Sequence, residues 1–167
     1  MSDEPDAPVI APGTQVPEFT LRTEDGEPFT QEHLLGQTSV LVFYPFAFSP
    51  VCTDQLSLYQ EVLDEFAQRG ATLYGVSCDS PYSQRAFREK LGVTIAQLSD
   101  FEPKGATCRA FGVLHPGGFP QRALVIVGPD GVVQWSYCAA SPGELPGANL
   151  IFDGLAAASA LVRRAIR

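Results

Sequence analysis

The sequence predicts an α/β domain with a central mixed β-sheet flanked by helices. Residues 40–44 form an unbroken apolar run, which is typical of a central strand buried on both faces. A helical stripe of apolar residues follows Cys52, and a second apolar run begins at Leu73. Strand, helix and strand joined by short connections form a βαβ unit, so we expect two parallel strands with a right-handed crossover.

Length and composition limit the other possibilities. The chain has 167 residues, of which 45% are hydrophobic and 18% charged, so it is long enough for one globular domain and not disordered over most of its length. The longest largely apolar run, residues 40–48, is much shorter than the ~20 residues of a membrane helix. No signal-peptide pattern opens the chain. We therefore expect a cytoplasmic protein that does not bind membranes.

The net charge of −8 is concentrated at the N-terminus. Residues 1–32 contain eight acidic residues and one arginine, whereas residues 33–167 are nearly neutral. The sequence has no stripe of Lys and Arg that could follow a phosphate backbone, so we expect no nucleic-acid partner.

The N-terminal part predicts an arm followed by a hairpin. Residues 1–17 contain four prolines and no periodicity, which indicates a flexible acidic arm over residues 1–12 and a single domain over residues 13–167. Beyond the arm, Phe19 and Leu21 alternate with polar residues, and Asp25-Gly26 supplies a tight turn before Phe29. This pattern is typical of a β-hairpin.

Residues that commonly begin or end helices set the boundaries of the elements in the middle of the chain. The helix that follows Cys52 is expected to run on to Gly70. After the strand at residues 73–76, Ser80-Pro81 starts a second helix that ends at Gly92. Residues 95–98 predict a short strand, and residues 106–111 predict a short helix.

The C-terminal third predicts a hairpin and a last helix. Two apolar strands, residues 123–127 and 132–137, surround the turn Pro129-Asp130-Gly131, and a final helical stripe runs from Ile151 to Val162. The resulting order, βαβ followed by ββα, is the thioredoxin arrangement. We therefore predict a thioredoxin-like fold with an N-terminal β-hairpin addition.

Cys52 stands at the position where such a sheet carries chemistry. Ligand sites of parallel sheets lie beyond the carboxyl ends of the strands, and Cys52 follows the first parallel strand in the first turn of a helix. Free backbone N–H groups and the positive end of the helix dipole stabilise a thiolate there. Ser49, three residues earlier, can bring a hydroxyl near the sulfur. The competing interpretation is a small apolar residue that only fills space.

The residues around Cys52 resemble a known signature. Pro45-x-x-x-Ser49-x-x-Cys52 is similar to the Pro-x-x-x-Thr/Ser-x-x-Cys motif of the peroxiredoxins, and Arg122 precedes a strand as the family's arginine does. The resemblance extends from about Gly13 to the last helix and is strongest to the one-cysteine AhpE-like and bacterioferritin-comigratory types. It implies a thiol-dependent peroxidase that reduces hydrogen peroxide, organic hydroperoxides or both.

The resemblance also implies a role for each motif residue. Cys52 would attack a peroxide oxygen and become a sulfenic acid. Arg122 would stabilise first the thiolate and then the charge that moves along the O–O bond. Ser49 would donate a hydrogen bond, Pro45 would limit access of water, and Gln55 would orient the arginine. This chemistry needs no cofactor.

The other cysteines do not settle whether the sulfenic acid is reduced within the chain or by an external thiol. Ser57 stands where the bacterioferritin-comigratory type has its second cysteine, so that disulfide is absent. Cys78, Cys108 and Cys138 are candidates to resolve the sulfenic acid, although buried structural thiols are the commoner meaning of such positions. Of these, Cys78 is the best placed, because it ends the strand parallel to the one before Cys52. We give most weight to a one-cysteine mechanism with an external thiol or a small redoxin as the reductant.

A peroxide sensor, a disulfide reductase and a metal-binding protein are the alternatives to a peroxidase. A peroxide sensor or thiol relay, which passes its oxidation to a partner protein, would use the same residues but turn over slowly. A thioredoxin-like disulfide reductase is disfavoured because the sequence has no Cys-x-x-Cys motif, and a Cys/His metal site lacks any spacing to support it. The resemblance further implies a homodimer.

Overall fold

A seven-stranded mixed sheet forms the centre of the computed structural model, which describes residues 8–166. The strand order is β2-β1-β5-β4-β3-β6-β7, where β3 is parallel to β4, β4 is parallel to β5, and the other neighbours are antiparallel. The strands are β1 (Thr20–Thr23), β2 (Pro28–Thr30), β3 (Thr38–Phe43), β4 (Ala71–Ser77), β5 (Ala96–Ser99), β6 (Ala123–Val127) and β7 (Val133–Cys138).

The helices divide unequally between the two faces of the sheet. Buried residues of four helices pack in one core together with Val40 and Val42 of β3, whereas Leu41 and Phe43 point into the other core. We name these sides the α1 face and the α4 face. The helices are α1 (Pro50–Glu61), α2 (Leu63–Gln68), α3 (Pro81–Leu91), α4 (Ala106–Ala110) and α5 (Ala148–Ile166), with a short 3₁₀ helix at Gln31–Leu34.

This architecture confirms the predicted thioredoxin-like fold. The N-terminal hairpin, the parallel β3–β4 pair and the β6–β7 hairpin are all present. The Ser80 side chain accepts a hydrogen bond from the amide of Ser83 at the start of α3, and Gly92 ends that helix with a left-handed φ of 67°. The predicted 3.6-residue and two-residue periodicities therefore correspond to real helices and strands.

The prediction of one continuous helix after Cys52 is wrong. The stretch from Cys52 to Gly70 forms two helices rather than one, because Val62 leaves the helical conformation with φ −115° and ψ 18°. The break separates two buried aromatic side chains, Tyr59 of α1 and Phe66 of α2. A β-branched residue is a weak helix former, so Val62 is a favourable place for the interruption.

Residues 1–7 of the predicted acidic arm lie outside the described residues. In the rest of the arm Ile10 is buried, and its amide donates a 2.9 Å hydrogen bond to the carbonyl of Phe111. The packed part of the chain thus includes residues that precede Gly13. Within the residues that the structure describes, no helix is both long and apolar enough to cross a bilayer.

Candidate active site

The joint between β3 and α1 buries Cys52 at the start of a helix. Ser49 is the N-cap of α1, Pro50 is its first residue and Cys52 its third, so the thiol lies in the first turn as predicted. The Cys52 side chain is completely buried in the core of the α1 face. A thiol in this position is exposed to the positive end of the helix dipole and is shielded from bulk water.

Arg122 reaches this thiol from the neighbouring strand. The antiparallel register pairs Phe43 of β3 with Ala123 of β6, so the residue before β6 lies beside the loop that follows β3. Arg122 is 2% exposed, and its Nη2 donates to Cys52 Sγ over 3.3 Å. Sequence reasoning named both residues, and the structure brings them into contact.

Two further acceptors hold the guanidinium in place. Arg122 Nη1 donates to Gln55 Oε1 over 2.6 Å, and its Nε donates to the carbonyl of Pro142 over 2.9 Å. Gln55 is also fully buried and lies one helical turn after Cys52 in α1. The arginine is thus fixed from three directions, and within the described part of the chain it forms no salt bridge with a carboxylate.

Tyr59 extends this network and was not predicted to belong to the site. Gln55 Nε2 donates to the Tyr59 hydroxyl over 3.0 Å, and that hydroxyl donates to the carbonyl of Pro146 over 2.6 Å. Burial raises the pKa of Tyr59 to about 12, so the hydroxyl stays protonated and remains a donor at neutral pH. The available signal was its spacing of four residues from Gln55 on one helix face.

Asp79 fixes the loop that carries the motif. Its Oδ2 accepts hydrogen bonds of 2.8 Å from the amide of Ala47 and of 2.8 Å from the hydroxyl of Ser77. In the same loop Phe48 has a positive φ of 69°, a conformation that costs a non-glycine residue about 1 kcal/mol or more. The surrounding contacts must compensate for this strain, and the Asp79 bond is one of them.

Two motif residues contribute to the site in different ways. Pro45 is buried next to Tyr44, at the base of the loop. Ser49 is half-buried, and its carbonyl accepts the amide of Thr53 over 2.9 Å. In the described part of the chain, however, no hydrogen bond joins Ser49 Oγ to Cys52 Sγ, so the structure does not pair the hydroxyl with the thiol.

Two aromatic rings of the loop lie outside the core. Phe46 and Phe48 are each about half exposed, at 49% and 47%, and they pack on Phe119 and Phe87 respectively. The buried aromatic of this segment is Tyr44, whose hydroxyl donates to Gln97 Oε1 over 2.6 Å. The loop therefore presents an apolar rim to solvent.

The other cysteines lie away from this arrangement. Cys78 follows β4 at the same sheet edge as the Cys52 loop, as predicted, but it packs into the α4 face together with Cys108. Cys138 of β7 is half-buried, and burial raises the pKa of its thiol. All three are free thiols.

Comparison with protein families gives one broad match. The AhpC/TSA family model covers residues 12–136, which include the β3–α1 loop and Arg122. Alkyl hydroperoxide reductase E of Mycobacterium tuberculosis is 31% identical over 150 residues, or 89% of this chain and 97% of that protein. Chloroplastic peroxiredoxin Q of Sedum lineare is 32% identical over 133 residues, or 77% of this chain and 69% of that protein.

Solved structures give the same result. Enterococcus faecalis AhpC superposes with a TM-score of 0.81 at 28% identity and covers 91% of this chain and 94% of its own. Peroxidoxin BcpB of Mycobacterium tuberculosis superposes with a TM-score of 0.74 at 28% identity and covers 93% and 97%. The fold, the family match and the curated relatives agree, and this chain belongs to the AhpC/TSA family of peroxiredoxins, which are thiol-dependent peroxidases.

Proposed function

We propose that this protein reduces hydrogen peroxide and organic hydroperoxides through a sulfenic acid on Cys52. The observation that supports this most directly is the 3.3 Å contact between Arg122 Nη2 and Cys52 Sγ, with both groups buried. A guanidinium is permanently charged, so it can stabilise negative charge at this sulfur during the reaction. The thiolate is the form that attacks peroxides.

The oxidation step transfers two electrons from the Cys52 sulfur to the peroxide. The Cys52 thiolate attacks one peroxide oxygen, the O–O bond breaks, and sulfur loses two electrons as it becomes a sulfenic acid. The other oxygen leaves as alkoxide or hydroxide and takes up a proton to give alcohol or water. Negative charge moves from sulfur to the leaving oxygen, and the fixed guanidinium of Arg122 stabilises that charge throughout.

Three residues assist this step in the proposal. Gln55 accepts a hydrogen bond from Arg122 and so keeps the guanidinium pointed at the sulfur. Ser49 Oγ, which is not bonded to the thiol, can donate to a peroxide oxygen instead. Pro45 is buried at the base of the loop and limits the access of water to the sulfur.

The reductant in this proposal is an external thiol or a small redoxin. A first thiol attacks the Cys52 sulfenic acid and releases water, and a second thiol then breaks the mixed disulfide. The placement of Cys78 and Cys108 on the α4 face supports an external source, because these thiols pack on the other side of the sheet from Cys52.

The compartment and the oligomeric state are also part of the proposal. Four free cysteines favour a reducing compartment such as the cytoplasm. The half-exposed rim of Phe46 and Phe48 favours a homodimer contact near the site.

The test compares two cysteine variants at the same peroxide concentration. Cys52→Ser should abolish the rapid consumption of hydrogen peroxide and of cumene hydroperoxide, while Cys138→Ser, a matched loss of one thiol, should retain the first turnover. With a sulfenate-trapping dione present, the adduct should map to Cys52. Unchanged consumption by Cys52→Ser would contradict the proposal.

A second measurement separates a peroxidase from a relay. Many turnovers per chain with a small thiol or a redoxin as the sole reductant indicate the peroxidase. A single rapid turnover, followed by a disulfide with a partner protein, would instead indicate a peroxide sensor. A disulfide from Cys52 to another cysteine of the same chain would contradict the one-cysteine mechanism.

A further inference from the structure

A second group of reactive side chains lies on the α4 face. Cys78 Sγ, Cys108 Sγ and a carboxylate oxygen of Asp100 all lie within 4.8 Å of one another, and all three residues are buried. None of them takes part in the hydrogen-bond network around Arg122. The group therefore needs an explanation that is separate from the Cys52 site.

The sheet edge and a short helix bring these residues together. Cys78 follows β4 and Asp100 follows the parallel strand β5, and the amide of Asp100 donates to the carbonyl of Ser77 over 2.8 Å. The Asp100 carboxylate accepts the amides of Thr107 and Cys108 over 3.1 and 2.8 Å, which fastens α4 to the sheet edge. Cys108 is thereby held facing Cys78.

The two thiols have different environments. Cys108 is completely buried, whereas Cys78 is 8% exposed and belongs to the connection that follows β4. Interaction with the Cys108 thiol lowers the pKa of Cys78, while the same pair interaction, together with burial, raises the pKa of Cys108. Cys78 is therefore the more acidic and the more exposed thiol of the pair, and Cys108 is the thiol that holds its proton more firmly.

We propose that Cys78 and Cys108 form a second redox centre, a dithiol that peroxide converts into an intramolecular disulfide without the participation of Cys52. The sulfurs must approach from within 4.8 Å to the disulfide bond length of about 2.05 Å. Both Asp100 oxygens already accept backbone amides, so the carboxylate has a structural role in the reduced pair.

The reaction consumes one peroxide for two thiols. The Cys78 thiolate attacks a peroxide oxygen, the O–O bond breaks and the leaving oxygen is protonated to alcohol or water. The Cys108 sulfur then attacks the Cys78 sulfenic acid, the S–O bond breaks, and hydroxide leaves with the Cys108 proton as water. The thiols lose two electrons in total, which the peroxide accepts.

The test uses a full-length chain that retains only this pair. In Cys52→Ser/Cys138→Ser, treatment with hydrogen peroxide should reduce the free thiols from two per chain to none. Non-reducing peptide mapping should then find Cys78 linked to Cys108, and dithiothreitol should restore both thiols. In the matched variant that also carries Cys78→Ser, the Cys108 thiol should survive the same treatment, because it is buried and protonated.

Several outcomes would overturn the proposal. These are two thiols that survive peroxide, a sulfinic acid on Cys78 without a cross-link, or a cross-link between different chains. A metal ion that copurifies with the pair, protects both thiols and is lost on Cys78→Ser would assign the cluster as a metal site instead. Circular dichroism of each variant before oxidation establishes that the chain is folded, so a failure to cross-link cannot be attributed to unfolding.

Discussion

The two faces of the sheet hold buried cysteines with opposite kinds of neighbour. On the α1 face Cys52 lies against a guanidinium that is fixed by Gln55 and Pro142. On the α4 face Cys78 lies against a second thiol and a carboxylate. A cation favours a lone thiolate, whereas a thiol neighbour supplies both a proton and a second sulfur.

The difference indicates that the neighbours of a cysteine decide its chemistry more than its burial does. Cys52 and Cys108 are equally buried, yet among the residues that the structure describes only Cys52 has an arginine within hydrogen-bond distance. In the proposed mechanism, a lone thiolate beside a cation gives a sulfenic acid that an external thiol must reduce. A paired thiol leads to a disulfide within the chain. Variants of residues on each face, and of one residue that lies next to both, test this difference.

The largest effect is expected from Arg122→Gln. Loss of the fixed cation should lower the rate of Cys52 oxidation by about 100-fold or more, the scale typical of a lost electrostatic stabiliser. Stopped-flow measurement of peroxide consumption gives this rate. Arg109→Gln, which removes an exposed arginine of α4, is the control and should leave the rate unchanged. Oxidation of the Cys78–Cys108 pair should be the same in both variants, and equal rates for the two variants would refute the role of Arg122.

Tyr59→Phe should have a smaller effect that is confined to the α1 face. The variant loses the hydrogen bonds to Gln55 and Pro146, which together contribute about 1–2 kcal/mol to the free energy of unfolding. We expect a lower denaturation midpoint and a several-fold slower oxidation of Cys52, because Gln55 is then less firmly held. Tyr82→Phe, at an exposed tyrosine of α3, is the control. Unchanged stability would show that the hydroxyl contributes nothing.

The pH dependence of thiolate formation should distinguish the pair from an isolated thiol. Because its pKa is lowered, Cys78 loses its proton at a lower pH than an ordinary protein thiol. In Cys52→Ser/Cys138→Ser, thiolate absorbance at 240 nm should therefore rise by one equivalent at a lower pH in the folded chain than in the unfolded chain. Adding Cys108→Ser removes the main cause of the shift and should move this rise to higher pH. A rise that stays in place would refute the interaction between the two thiols.

Asp79→Asn should give the smallest effect and the only one expected on both faces. Asparagine keeps one oxygen that can accept the Ala47 amide, so Cys52 oxidation should slow by no more than about threefold. The Asp79 charge also raises the pKa of the adjacent Cys78 slightly, so its removal should move the 240 nm rise to lower pH. Asp130→Asn, in the β6–β7 turn, serves as the control. A large loss on one face alone would show that Asp79 does not connect the two.

Much of the fold and the centre of the site could be predicted from sequence because their signals are local. The apolar run of β3, the caps of α3 and the spacing of Pro45, Ser49 and Cys52 all lie within single segments. Arg122 could be found only through the resemblance to the peroxiredoxins, because it precedes a strand as the family's arginine does.

The remaining features depend on tertiary contacts that periodicity does not encode. Tyr59 belongs to the apolar stripe of its helix, and only the path of the 142–147 loop gives its hydroxyl an acceptor. The approach of Cys108 to Cys78 depends on how α4 docks, which the Asp100 carboxylate determines. Residue spacing in the sequence indicates neither the bond from Tyr59 to Pro146 nor the approach of Cys108 to Cys78.

Among the described residues no carboxylate pairs with Arg122, and this affects the second half of the proposed catalytic cycle. While Cys52 is a thiolate, it is the counter-ion of Arg122, and the pair is electrically neutral. Oxidation to a neutral sulfenic acid removes that counter-ion and leaves a buried, uncompensated cation. In the proposed one-cysteine cycle the next anion to approach is the thiolate of an external reductant, so the site would attract its second substrate only after it has consumed the first.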